Sequence, residues 1–117
     1  MRAYISGPIT GHPDYKKQFD HAERLLRLHG YETINPASAN DWMPEGTTWE
    51  QYMAQCWKLM RTAEAIYLMD GWNTSRGACM ELTWATYMGI PIMTEQMVNS
   101  EINYKTHDML DPVEALE

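Results

Sequence analysis

Residues 70–81 read Asp-Gly-Trp-Asn-Thr-Ser-Arg-Gly-Ala-Cys-Met-Glu, and the arrangement of the chain turns on them. An apolar run at 65–69 leads in, and Ala78, Leu82, Ala85 and Met88 follow at helical spacing, so the stretch predicts a strand, a tight polar turn and a helix. In an open α/β sheet such a turn lies at the carboxyl edge of its strand, where ligands are held. Ser75, Gly77 and Ala78 put small residues at the helix start, whose backbone N–H groups and dipole favour an anion. Glu81 stands one turn further in. Helical side chains lean toward the N-terminus, so its carboxylate faces back to the turn. A plainer part also fits, with Asp70 and Ser75 as helix caps and Glu81 as a solvated charge.

A chain of 117 residues fits one domain, 1–117, with a modest single core. Sixteen Asp and Glu against nine Lys and Arg give a net charge of −7, which argues against a nucleic-acid polymer or an anionic membrane as partner. A small anion held by local N–H groups and an Arg remains compatible with that charge. Cys56 and Cys79 form neither a CxxC motif nor a disulfide framework, so a reducing cytoplasm is the expected compartment. Residues 1–6 run straight into a strand pattern, so no signal peptide is expected, and no apolar run approaches a membrane span. His12, His21, His29 and His107 show no metal-ligand spacing. Neither a metal nor any other cofactor is expected.

Working outward, residues 2–6 alternate and are β-rich, giving a first strand that ends at Gly7-Pro8. Gly7 permits close approach of a ligand to the backbone, and Thr10, Gly11, His12 and Pro13 continue as loop. Tyr15, Phe19, Ala22 and Leu26 mark a helix, stopped by Gly30. A second strand at 31–34 ends at Asn35-Pro36, and a polar loop at 37–47 is long enough to act as a lid or a partner contact. Thr48 and Gln51 have capping-box spacing ahead of a helix with Trp49, Tyr52, Met53, Cys56, Leu59 and Met60 on one broad face. A fourth strand is expected at 90–93, another helix within 96–111, and a frayed acidic end at 111–117. Alternating β and α units predict a flavodoxin- or Rossmann-like three-layer α/β sandwich with a mainly parallel sheet, order 2-1-3-4. Strands 1 and 3 are then neighbours, and the ends Ser6-Gly7-Pro8 and Asp70-Gly71-Trp72 flank one crevice.

Three motifs in order carry a resemblance: Tyr4-Ile-Ser-Gly-Pro-Ile-Thr-Gly11, then Asn35-Pro36, then the segment from Gly71 to Glu81. Together they resemble the nucleoside 2-deoxyribosyltransferase-like superfamily over roughly residues 3–93, above all its small phage and prophage members of unassigned function. Ser75, Gly77 and Glu81 also match the Ser-x-Gly-x-x-x-Glu pattern of the deoxynucleoside 5′-monophosphate N-glycosidases. The resemblance implies N-glycosidic bond cleavage or base exchange on a deoxynucleoside or its 5′-monophosphate, with Glu81 as nucleophile. It further implies that Ser75 and the Gly77 and Ala78 amides grip a phosphate, that Tyr4 and Gly7 line the sugar, and that Trp72 stacks on the base. Ser6, Pro8, Thr10, Gly11 and Asn35 supply further contacts, and Arg76 suits either a phosphate ligand or a surface position. Homo-oligomers, in which one subunit helps close its neighbour's pocket, are implied as well.

Such chemistry suits the residue types, since oxocarbenium character at C1′ is stabilised by a carboxylate that forms a glycosyl ester. One departure stands out. The superfamily usually carries a second carboxylate in the helix before the third strand, and Cys56 or Trp57 falls there. Asp70 and Glu64 are the candidates to take over its part, and without it proton handling of about 10²- to 10⁴-fold is at stake. A nucleotide-binding protein that kept the pocket and lost the chemistry is therefore the alternative, and an interaction module with inherited motifs is a third.

Overall fold

Two strands buried on both faces set the architecture. The computed structural model of the chain describes residues 1–100, and in it β1 (Arg2–Ser6) and β3 (Ala65–Leu68) pair in parallel, from Ala3 opposite Ala65 to Ser6 opposite Leu68. Their near-continuous apolar character is what a doubly covered parallel strand requires. The shorter β2 (Glu32–Ile34) and β4 (Ile92–Thr94) flank them, also in parallel, in the order β2-β1-β3-β4. The predicted order and class are therefore those observed.

Alternation along the central strands sorts the side chains between two cores. Ala3, Ile5, Tyr67 and Met69 pack on one face with Phe19, Ala22 and Leu26 of α1 (Tyr15–Leu28) and with Val98 of the helical residues 95–100. Tyr4, Ile66 and Leu68 pack on the other with Cys56 and Met60 of α3 (Trp49–Met60) and Ala85 of α4 (Arg76–Met88). Three layers result. α3 begins with a complete capping box: Gln51 N–H donates to Thr48 Oγ1 at 3.1 Å, and Thr48 N–H donates to Gln51 Oε1 at 2.9 Å.

Local hydrogen bonding accounts for where the elements depart from the sequence expectation. The region 37–47 is not wholly loop, because Pro36–Ala39 forms a short helix, α2. Asn35 Oδ1 accepts from Ser38 N–H at 3.2 Å and Pro36 sits at the first helical position, a helix-start signature that reads equally well as a strand end. β4 starts at Ile92 rather than Ile90, since Ile90 N–H bonds Ala85 O at 3.2 Å to close α4, and Pro91 has no N–H to give the ladder. The helix expected within 96–111 is present from residue 95 as far as 100, while its remainder and the acidic end at 111–117 lie outside the described residues.

At the end of β1 the chain runs hard against the end of β3. Met69 N–H donates to Ser6 O at 2.8 Å, and a Cβ on Gly7 would lie 2.7 Å from Met69 Sδ and 2.9 Å from Met69 Cβ. The second of these contacts is with an atom fixed to the backbone, so a side chain at this position forces the two strand ends apart. Gly7→Ala is expected to lower the unfolding free energy by roughly 1–3 kcal/mol, measured as a shifted urea midpoint at unchanged slope. An unchanged midpoint would show that the strand ends do not need this contact.

Candidate active site

Two residues apart on one strand, Tyr4 and Ser6 project to the same face of the sheet, toward α4. Ala78, Glu81 and Ala85 form the buried stripe of α4, at spacings of three and four, and so Glu81 is turned onto the sheet. Its two carboxylate oxygens are taken separately: Tyr4 Oη donates to Oε2, and Ser6 Oγ donates to Oε1 at 2.7 Å. Only 5% of Glu81 is exposed, and among the described residues no Lys, Arg or His forms an ion pair with it. Burial pushes its carboxyl up from the ordinary 4.5 to about 7, against the opposing pull of hydrogen bonds from Tyr4, Ser6 and Cys56.

The surrounding groups are neutral. Burial, and then the charge of Glu81, raise the Tyr4 phenol well above its ordinary value, and the same two causes push the Cys56 thiol up to about 12. Tyr52, one turn before Cys56 on α3, is raised chiefly by burial. Asn40 Nδ2 donates to Cys56 Sγ at 3.5 Å, and its buried Oδ1 has no partner among the described residues. Glu81 is thus a buried acid ringed by hydroxyl, thiol and amide groups, and Cys56 is a proton-bearing thiol rather than a nucleophile.

Above Glu81 opens a cleft of about 760 Å³, within the range of small-molecule sites. It lies at the carboxyl ends of β1 and β3, where the winding reverses. One wall is the β1–α1 loop with Gly7, Pro8, Thr10 and His12; the opposite wall is Thr74 to Ala78; α3 contributes Trp49, Tyr52 and Met53. At the rim the Arg76 guanidinium stacks on the Trp49 ring, 3.9 Å from its centroid, and so ties the start of α4 to the start of α3. Ser75 Oγ accepts from Ala78 N–H at 3.1 Å. That cap uses the Ala78 amide, expected above to meet an anion, and leaves the Arg76 and Gly77 amides as the first-turn donors without an intrahelical acceptor.

Of the residues singled out in the sequence, the structure gathers Glu81, Tyr4, Ser6, Gly7, Pro8, Thr10, Ser75, Arg76, Gly77 and Ala78 in or directly beneath this cleft. Four lie elsewhere. Asn35 turns its side chain into the fold, capping α2 and donating to Asp20 Oδ1 at 3.2 Å. Gly11 forms the loop turn behind His12, off the cleft lining. Asp70 and Trp72 border a separate depression beside Thr94 and Glu95. The left-handed turn at Gly71 (φ 83°) and the 3-10 turn over Trp72–Thr74 carry them there, and Trp72 packs against the core beneath α3 and α4. Neither supplies a second carboxylate or a base platform in the cleft. Conversely, Asn40, Tyr52 and Met53 line the cleft without having been singled out as site residues; the last two share the broad apolar face of α3, whose spacing reads as core. Among the described residues no group of three His, Cys, Asp or Glu is placed to hold a metal ion, and no helix is long and apolar enough to cross a membrane.

The titration of Glu81 has a consequence for stability. A carboxyl raised from 4.5 to about 7 on folding favours the native state most below the lower value, and that advantage is lost as pH rises through the higher one. The unfolding free energy of the wild type minus that of Glu81→Gln should therefore fall by roughly 3 kcal/mol across this window. Chemical denaturation at a series of pH values measures it. A flat difference would mean that Glu81 titrates as an ordinary solvated acid.

Compared with known proteins, the chain matches over residues 1–94 a family model described as a domain of unknown function, DUF4406. No curated protein matches it. Among solved structures it is similar to a 2-deoxyribosyltransferase from the psychrotolerant bacterium Bacillus psychrosaccharolyticus, with a TM-score of 0.63 and 19% identity, over 80% of this chain and 71% of that one. At that identity the likeness is one of fold. Because the family model spans most of the sequence, the chain belongs to the DUF4406 family.

Proposed function

We propose that the chain cleaves the N-glycosidic bond of a deoxynucleoside or its 5′-monophosphate, by hydrolysis or base exchange, with Glu81 as nucleophile. The observation that carries this reading is the two-point grip on Glu81, since hydrogen bonds from Tyr4 and Ser6 fix the aim of a carboxylate beneath a nucleotide-sized cleft. In the reaction Glu81 attacks C1′ on the face away from the base, the base leaves, and water or a second base resolves the glycosyl ester. The fold shared with a 2-deoxyribosyltransferase supports the same reaction class. A 5′-phosphate is held at the rim by the Arg76 and Gly77 amides, the Ser75 hydroxyl and the Arg76 guanidinium, which stacks on Trp49 and has no hydrogen-bond acceptor among the described residues.

One observation favours a second reading, a nucleotide-binding protein without turnover. Where the superfamily resemblance calls for a second carboxylate stands the Cys56 thiol, which keeps its proton at neutral pH.

Incubation with the four deoxynucleoside monophosphates and their nucleosides, followed by chromatography for free base, tests both. Base release is expected from the wild type and a rate lower by at least about 10³-fold from Glu81→Ala. Arg76→Ala is expected to raise KM for monophosphates about tenfold, as loss of a charge-assisted contact would, and to leave nucleosides unaffected. No release above the Glu81→Ala level overturns the glycosidase reading. Calorimetric binding of a monophosphate in that case establishes the second.

A further inference from the structure

We propose that His12 is the general acid that protonates the departing base, a role that rests on the glycosidic reading of Glu81. Scission of the C1′–N bond leaves an electron pair on a ring nitrogen, and a proton supplied there is what makes a natural base depart. With Glu81 attacking one face of the sugar, the proton has to come from the part of the cleft that faces the base.

The cleft lining offers few groups for this. Among the described residues its titratable side chains are His12, Tyr15, Asp41, Tyr52, Cys56, Arg76 and Glu81. Asp41 is engaged by Lys16 Nζ at 2.5 Å. Cys56 and Tyr52 are raised, hold their protons tightly, and lie on α3 on the Glu81 side. Tyr15 is a phenol, and Arg76 a guanidinium that does not release a proton. His12 is left, and imidazole is the side chain whose ordinary titration range permits it to give up and regain a proton near neutrality.

Its setting fits the task. His12 N–H donates to Ile9 O at 3.1 Å and its carbonyl accepts from Tyr15 N–H at 3.1 Å, so its backbone is pinned on both sides. Gly11, in the left-handed region at φ 79°, turns the loop just before it. The ring is exposed and has no hydrogen-bond partner among the described residues, although the residue lines the same cleft as Glu81. The loop leaves β1 directly after Ser6, so the strand whose side chains hold the nucleophile also carries the acid.

The steps balance. A Glu81 oxygen bonds to C1′ as the C1′–N bond breaks, its electron pair passes to the base nitrogen, and the His12 imidazolium transfers its proton to the base. Water then attacks C1′, the neutral imidazole takes the water's proton, and the electron pair of the ester bond returns to the Glu81 carboxylate. Free base and sugar phosphate are the products.

The test is leaving-group rescue, with the full chain and two substrates. One is the best-cleaved of the four deoxynucleoside monophosphates. The other is 4-nitrophenyl 2-deoxyribofuranoside 5-phosphate, whose nitrophenolate departs unprotonated. His12→Gln is expected to lower kcat/KM, which reports the steps up to departure of the leaving group, by about 10²-fold or more on the nucleotide and by less than about threefold on the nitrophenyl substrate. Equal losses on both substrates, or none on either, would overturn the role of His12. Glu81→Ala, inactive on both substrates beside an active wild type, upholds the glycosidic reading whatever His12→Gln does. A wild type inactive on both removes that reading and the proton donor with it.

Discussion

A carboxylate buried against a sheet with hydroxyl groups for company is the constraint on which the molecule depends. Removing an acid from water is unfavourable by several kcal/mol unless its oxygens find donors. Here the donors come from alternate positions of the first strand, Tyr4 and Ser6, both fully buried. Much of the architecture follows from satisfying this one group. β1 has to lie in the middle of the sheet so that both its faces are covered, and α4 has to start close enough to β3 for its second turn to sit over Tyr4 and Ser6. The tight join between Ser6, Gly7 and Met69 sets that distance, and Gly7 allows it because it has no side chain to wedge the strand ends apart.

How much of this was legible in the sequence follows from what each signal encodes. The period-two alternation of β1, the apolar run of β3 and the capping box of α3 are local patterns, and each became the element it predicted. The Gly77 to Glu81 spacing placed the acid on the right helix, but spacing alone left open whether the side chain was solvated or buried. That depended on Tyr4, distant in sequence. Asp70 and Trp72 show the opposite failure. They belong to the same turn as Ser75, yet one left-handed residue, Gly71, swings them to another side of the molecule. Asn35 sits where β2 ends, and its amide serves both as a helix cap and as a tie to Asp20. A helix face poses the last ambiguity. Met53, Cys56 and Met60 recur at spacings of three and four, and Trp49 and Tyr52 continue the stripe. The same apolar spacing builds core at Met60 and cleft wall at Tyr52 and Met53, because a cavity in the fold interrupts the contact without altering the pattern.

The same burial bears on chemistry. Among the described residues Glu81 has no cation paired with it, and burial raises its carboxyl to about 7. A lysine or arginine in contact would stabilise the anion and would do so equally whether the sugar above it was neutral or charged. Hydroxyl donors orient the carboxylate and leave most of its charge uncompensated. On the proposed reaction, positive charge develops at C1′ only as the base departs, in a site where Coulomb attraction is weakly screened. Attraction between that charge and Glu81 is then gained in the transition state and is absent with neutral substrate, the form of stabilisation that raises kcat. Among the described residues Arg76 is the one lysine or arginine on the cleft lining, and it stands at the rim on Trp49, where on the proposed reading it holds a phosphate without neutralising the acid at the floor. On the proposed reaction the separation of the two charges therefore has a function: attraction for an anionic ligand is placed at one end of the cleft, and an uncompensated carboxylate is kept at the other.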